Sequence, residues 1–351
     1  MKAHFHVLDG FRGIAAIAVV VAHGWVLLGY KVAVHGYLAV DLFFLLSGFV
    51  IAQAYEQRLR NGMALADFCR RRWLRLYPMI ALGAVLGAGV TLATRPVTPI
   101  DFVGTFIAQL LVLPTPFSHV PGFGPWPLNP PSWSLFWELL ANAAFAVWLV
   151  HWRNRQLALL CLVAGAGLAC VALIHRDIEV GFTLTSFYGG PLRTFFSFPL
   201  GILLSRLHRP SAARQSSGKI GLCLAGALVL ILFGPTRSWA YDMVTVMVVF
   251  PLILLVAIRT DASHPCWTWL GNMSYPLYLL HNPLLKIIVA WRPHPVGGLA
   301  DLALLGAYLG LALAAATLVG RFYDTPIRRI LERRRATPGL PILGAQPAGG
   351  F

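Results

Sequence analysis

LDGFRGIAAIAVVVAH, residues 8–23, decides how the rest of this sequence is read. Asp9, Arg12 and His23 are the ionisable residues in an otherwise apolar stretch. On an α-helix the step from Arg12 to His23 is a rise of ~16 Å. An imidazole inside a bilayer-compatible helix is costly and marks a functional site by default. A cation at the water edge and a proton acceptor deep in the same helix suit a long substrate whose anionic head stays in water. The plainer alternative is an Arg that snorkels at a helix end and a His bonded to a neighbouring helix.

Composition extends that reading to the whole chain. Hydrophobic residues make up 58% of the 351 and charged residues 12%, about half the charged share of a soluble domain. The expectation is an all-α, polytopic membrane protein. Its ten expected transmembrane helices fall at 13–30, 36–54, 76–94, 131–150, 157–174, 185–205, 220–234, 240–258, 268–291 and 298–320. An eleventh apolar piece, 102–113, is short for a crossing and leads into PTPFSHVPGFGPWPLNPP (114–131), whose prolines and glycines exclude regular helix. His4, Phe5 and His6 precede the first helix without a basic leader, so that helix is expected to stay as an anchor. The five cysteines form no CxxC pair and no metal-like spacing with histidine, so no metal is expected.

Lys and Arg number 28 against 13 Asp and Glu. In a membrane chain that excess speaks of topology and anionic lipid, not of nucleic acid. If 102–113 does not cross, 21 basic residues lie inside, five outside and two within spans. If it crosses, the tally becomes 11 inside against 15 outside. The positive-inside rule therefore favours ten crossings, both termini cytoplasmic, and an outer-face segment near 100–130 that is re-entrant or interfacial. Residues 1–327 form the membrane domain, and 328–351 read as a basic, disordered cytoplasmic tail.

This topology places three ionisable groups in the outer half of the bilayer. Counted from the outer helix ends, His23 is ~10 Å down, Asp41 ~7 Å and Glu138 ~9 Å. A neutral His beside a carboxylate is an arrangement for general-base work, so His23 is the candidate base, with Glu138 as its expected partner and Asp41 second. Trp133, Ser134 and Trp137 crowd the same end as Glu138 and suit a carbohydrate or alcohol. Arg193 and His281 lie deeper, and groups at such depth face one another or a polar cavity. On the cytoplasmic side FCRRRWLRLYP (68–78) sets Arg72 and Arg75 on one helix face, widened by Arg71. Guanidinium clusters of this kind bind phosphate in bidentate fashion.

Five stretches in this order resemble acyltransferase family 3: LDGFRGIAAIAVVVAH, GYLAVDLFFLLSGFVI (36–51), FCRRRWLRLYP, PPSWSLFWE (130–138) and LGNMSYPLYLLHNP (270–283). That family comprises integral-membrane acyltransferases of bacterial surface polysaccharides, lipid-linked sugars, nodulation factors and some macrolides. The resemblance implies an enzyme of the bacterial cytoplasmic membrane that moves an acyl group from acyl-CoA, with acetyl-CoA the first expectation, to a hydroxyl of a carbohydrate or glycolipid. It implies donor contacts at Arg12, Arg72 and Arg75. It adds Ser274, Tyr275, Tyr278 and His281 as a late motif, with Tyr275 and His281 expected near the acceptor. The competing class is a secondary transporter or flippase, which also uses intramembrane His, Asp, Glu and Arg. Against it stands the lack of an internal repeat with matched broken helices.

Overall fold

The structure is a computed structural model, and it describes residues 5–116, 118–208, 215–235, 238–292, 295 and 297–333. Among the described residues the chain is all-α but for one two-residue parallel bridge. α1 (His6–His23) and the short α2 (Trp25–Leu28) precede a 3-10 turn, Gly36–Leu38, that opens α3 (Ala39–Arg60). α4 (Leu65–Thr94), α5 (Pro99–Leu110) and α6 (Ser132–Ala144) follow, and a π-helical turn, Phe145–Leu149, extends α6. α7 (Asn154–His175) and α8 (Gly189–Leu207) lead to β1 (Gln215–Ser216) and α9 (Gly218–Leu232). α10 (Trp239–Val244) and α11 (Phe250–Ala257) are one rod joined by a π turn, Thr245–Val249. After β2 (Thr260–Asp261), which pairs with β1, come α12 (Pro265–Trp291) and α13 (Leu299–Val319). A third π turn, Gly320–Asp324, joins α13 to α14 (Thr325–Arg333).

Each of the ten apolar runs coincides with a helix. Among the described residues, six segments are long and apolar enough to cross a membrane: His6–Leu28, Gly36–Arg60, Leu65–Thr94, Asn154–His175, Trp239–Ala257 and Leu299–Leu331. The protein is thus a multi-pass integral membrane protein. α8 and α12 fall outside that set because they are interior helices. Arg193, Thr194 and Ser197 on α8, with Ser274, His281 and Asn282 on α12, are buried by protein, where polar groups find partners that lipid cannot offer.

Two helix pairs form the centre, α1 against α12 and α3 against α8. Small residues set their spacing. A Cβ on Gly48 of α3 would sit 2.0 Å from the Phe198 carbonyl oxygen of α8, and one on Gly201 would sit 2.2 Å from that of Leu45. A Cβ on Gly24 would lie 2.3 Å from Leu305 Cδ1, so glycine there lets α13 pack against the end of α1.

Two sequence expectations need correcting. The first helix does not run unbroken to residue 30: α1 ends at His23 and the chain turns at Gly24. The tail does not start at 328, because α14 continues to Arg333 with Arg328 bonded to Asp324 one turn earlier. Residues 334–351 of the expected tail lie outside the described residues.

α5 carries its polarity reversed. Ile100, Val103 and Ile107 are exposed, whereas Thr105 and Gln109 are buried. Gln109 Nε2 donates to Ser132 Oγ at 2.8 Å, and the Thr105 and Ser118 hydroxyls are 2.6 Å apart. The irregular stretch behind α5 is pinned to α12. Lys286 Nζ donates to the Pro127 and Leu128 carbonyls (2.6 and 3.0 Å), and Asn129 Nδ2 to that of Leu279 (3.0 Å).

The core also holds a full ion pair. Arg193 Nη2 and Nε donate to Asp41 Oδ2 and Oδ1 at 2.6 and 3.1 Å, with both side chains at most 1% exposed. Its remaining donors reach the Val180 and Tyr37 carbonyls at 3.1 and 2.9 Å. Removing one partner of a buried pair leaves an uncompensated charge, at a cost of about 3–5 kcal/mol. Asp41→Leu is therefore expected to lower the thermal midpoint of the detergent-solubilised protein sharply, and an unchanged midpoint would show that this pair does not hold α3 to α8.

Candidate active site

A cavity of about 570 Å³ opens among α1, α3, α4, α6, α12 and α14. Its cationic side is built by Arg12, Arg72, Arg75 and Arg328, and its apolar wall by Val40, Phe43, Phe44, Val50, Ile51, Leu76 and Leu135. Thr268 and Tyr278 of α12 both line it. Ten residues of helix separate them, so the cavity is ~15 Å long. Helical spacing explains which side chains face it. Arg72 and Arg75 are three apart, Tyr275 and Tyr278 three apart, Ser134 and Glu138 four apart. Arg71, one residue off that face, is exposed and does not line the cavity.

The charges are partly neutralised in place. Arg12 lies 3.6 Å from Asp9, and Arg72 Nη2 lies 3.3 Å from Glu138 Oε1. Ser47 Oγ donates to that same oxygen at 2.8 Å. Arg328 is paired with Asp324. Among the described residues Arg75 has no carboxylate within ion-pair distance, which leaves it as uncompensated positive charge at the cavity.

The deep end is closed by hydroxyls. The Ser134 and Tyr278 hydroxyls are 2.7 Å apart and both reach the Pro131 carbonyl at 3.2 Å. Tyr275 donates to the Leu76 carbonyl at 2.8 Å. Beyond Tyr278 lies His281, its ring 5.9 Å away by centroids, and beyond that His23, 5.0 Å from His281. Both imidazoles use Nδ1 on a backbone carbonyl one turn back: Val19 for His23 at 2.8 Å and Leu277 for His281 at 3.2 Å. A carbonyl accepts only, so each Nδ1 carries the proton and each Nε2 presents its lone pair. The Nε2 of His281 is buried without a hydrogen-bond partner among the described residues. His23 is half-buried and does not line the cavity.

The expected grouping of His23, Asp41 and Glu138 at one level is not what the fold makes. A Cβ on Gly36 would meet Ala22 at 2.6 Å, so the end of α1 is level with the start of α3. Asp41 is five residues along from Gly36, ~7 Å, and Ser47, which holds Glu138, is eleven residues along, ~16 Å. Glu138 therefore belongs with Arg72, Asp41 with Arg193, and neither carboxylate partners His23. The sequence count misplaced Glu138 because it fixed depth from one end of each helix, while tilt and offset are set by packing.

Trp133, Trp137 and Arg193 also sit outside the cavity. The Arg193 guanidinium lies 5.4 Å from the Trp133 ring, and the Trp137 ring lies 5.1 Å from that of Phe187. These side chains pack in the core away from the cavity. Close by is a network that sequence reasoning missed. The buried His35 donates through Nδ1 to Asp242 Oδ1 at 2.6 Å, and Tyr37 donates to the other oxygen of Asp242. Asp242 lies in an apolar run, which was a signal, but nothing local in the sequence pairs it with residue 35. Asp9, Ser47 and Arg328 were missed too. The i,i+4 spacing of Asp324 and Arg328 was the legible cue for the last.

The family described as "Acyltransferase domain", acyltransferase family 3, matches residues 5–321. The chain belongs to this family. Acyltransferase MdmB of Streptomyces mycarofaciens is 27% identical, over 95% of this chain and 94% of its own length. Peptidoglycan O-acetyltransferase OatA of Listeria monocytogenes is 26% identical, and the match covers 92% of this chain but only 55% of OatA. Protein 2 in picA locus of Rhizobium radiobacter is 36% identical over 182 residues, which is 48% of this chain and 94% of that protein. No solved structure matches. The protein is accordingly a membrane acyltransferase.

Proposed function

We propose that this acyltransferase moves an acetyl or other short acyl group from cytoplasmic acyl-CoA to a hydroxyl of a carbohydrate or glycolipid at the outer face. One observation carries the reading: the cavity is cationic at one end and apolar along its length, the shape of a polyphosphate joined to a long, weakly polar arm. Arg12, Arg72 and Arg75 would hold the phosphates by charge-assisted hydrogen bonds. Phe43, Phe44 and Leu76 would line the arm, bringing the thioester towards Ser134 and Tyr278. The acceptor class is extended to this chain from the printed name of OatA and from the hydroxyl and indole side chains of the outer half.

His23 is the proposed base. Its Nε2 takes the proton of the attacking hydroxyl while the Val19 carbonyl holds the ring through Nδ1. The new carbon–oxygen bond forms, the carbon–sulfur bond breaks, and the imidazolium returns its proton to the departing thiolate. The cavity ends at Tyr278, so the acyl carbonyl meets His23 only after the Tyr278 ring turns aside, past His281. Burial there would keep water from the thioester.

The proposed topology is ten crossings with both termini cytoplasmic, in the cytoplasmic membrane. The Lys and Arg distribution supports it, as does α5, whose outward apolar face fits a segment that dips into lipid from the outer side. Phe123 is 60% exposed, and Phe123→Cys in a background lacking the native cysteines is expected to react with an impermeant maleimide on intact cells. Labelling only after permeabilisation would reverse the orientation from residue 131 onward.

General-base catalysis is worth about 10²–10⁴ in rate. His23→Ala is expected to lose acyl transfer by that factor in purified protein while CoA affinity stays within about twofold. Turnover near the wild-type rate would remove His23 from the chemistry.

A further inference from the structure

Arg328 lies beyond residues 5–321, the part of the chain matched by the family, yet it lines the same cavity as Arg12, Arg72 and Arg75. It reaches that position because α13 runs on through the π turn Gly320–Asp324 into α14, which packs against α4. π turns of this kind recur at functional sites. Tyr323 donates to the Pro78 carbonyl at 3.2 Å, which fixes the level of the turn against α4. Arg328 follows five residues later, ~7.5 Å nearer the mouth. Its side chain is 29% exposed, as a rim position requires, whereas the Asp324 side chain that holds it is 0% exposed. Arg328 Nε is buried and without a partner among the described residues, as is one oxygen of Asp324. The side chain as a whole is part-exposed, so its terminal nitrogens, not the enclosed Nε, are what a ligand oxygen at the mouth would meet.

Resting on the acyl-CoA reading above, we propose that Arg328 is a donor-specificity residue that contacts the 3′-phosphate on the ribose of the donor nucleotide. Arg12 and Arg72 stand against the cavity wall with their carboxylates, where the pyrophosphate would follow the pantetheine arm. The ribose phosphate is the part of such a donor farthest from the thioester, and Arg328, like the exposed Arg75, stands where the cavity meets solvent. Asp324 is a positioning residue that keeps the Arg328 fork turned towards the mouth.

The test is calorimetric titration of the full-length detergent-solubilised protein with CoA and with 3′-dephospho-CoA. Wild type is expected to bind CoA about 10- to 100-fold more tightly than the dephospho form, the range for a charge-assisted contact to phosphate. Arg328→Gln is expected to lower CoA affinity to the dephospho level and to leave dephospho-CoA affinity unchanged. Arg328→Lys is expected to recover part of the difference, which a merely misfolded protein would not do. Asp324→Asn is expected to act in the same direction more weakly. Equal binding of the two nucleotides by wild type would overturn the proposal. So would an Arg328→Gln variant that still discriminates, or one weakened equally towards both. Failure of wild type to bind either nucleotide would overturn the donor reading itself, and this inference with it.

Discussion

Charge inside an apolar body has to be answered by opposite charge or by hydrogen bonds, and that constraint organises this protein. Moving an ion from water into such surroundings costs several kcal/mol even after relaxation, and several buried ionisable groups recruit a partner from another part of the chain. Asp41 of α3 takes Arg193 of α8, Glu138 of α6 takes Arg72 of α4 and Ser47 of α3, and His35 takes Asp242. These pairings are long-range in sequence and therefore fix which helices touch. They also clear a path between them. The cavity lies where Glu138 and Asp9 neutralise two of its arginines, and among the described residues Arg75 has no carboxylate within ion-pair distance.

The same constraint separates two regions that the sequence seemed to merge. On one side of Tyr278 the space is cationic and apolar. On the other side His281 and His23 stand ring to ring, each with its proton held at Nδ1 by its own helix. One aromatic side chain divides them. A partition of this kind would let the thioester be held in dry surroundings until the acceptor is present, which limits loss to hydrolysis. The outer irregular stretch, tied down by Lys286 and Asn129, covers α12 at this level.

Much of this was legible in the sequence, and the failures share a cause. Apolar runs marked where helices form, six of them long and apolar enough to cross a membrane among the described residues, because burial in lipid leaves little freedom in composition. Spacing within one helix put Arg72 with Arg75 on a shared face that does line the cavity, since the 3.6-residue period is local physics. What local physics cannot supply is the offset between helices. Glu138 was therefore assigned to His23, when it belongs to the cavity wall with Arg72. Arg328 was lost for a different reason. A run of arginines near Pro and Gly reads as tail, whereas the helix continues through the π turn and carries Arg328 to the cavity beside α4.

The central claim is that a thioester travels through this cavity to the Ser134 and Tyr278 end. The most direct measurement is photocrosslinking of the full-length protein with a CoA thioester bearing a diazirine on a short acyl chain, read by peptide mass spectrometry. The account requires labelled peptides from α6 around Ser134 and from α12 between Tyr275 and His281, competed away by unlabelled CoA. Labels confined to the lipid-exposed faces of α5 or α13, or insensitive to CoA, would contradict it.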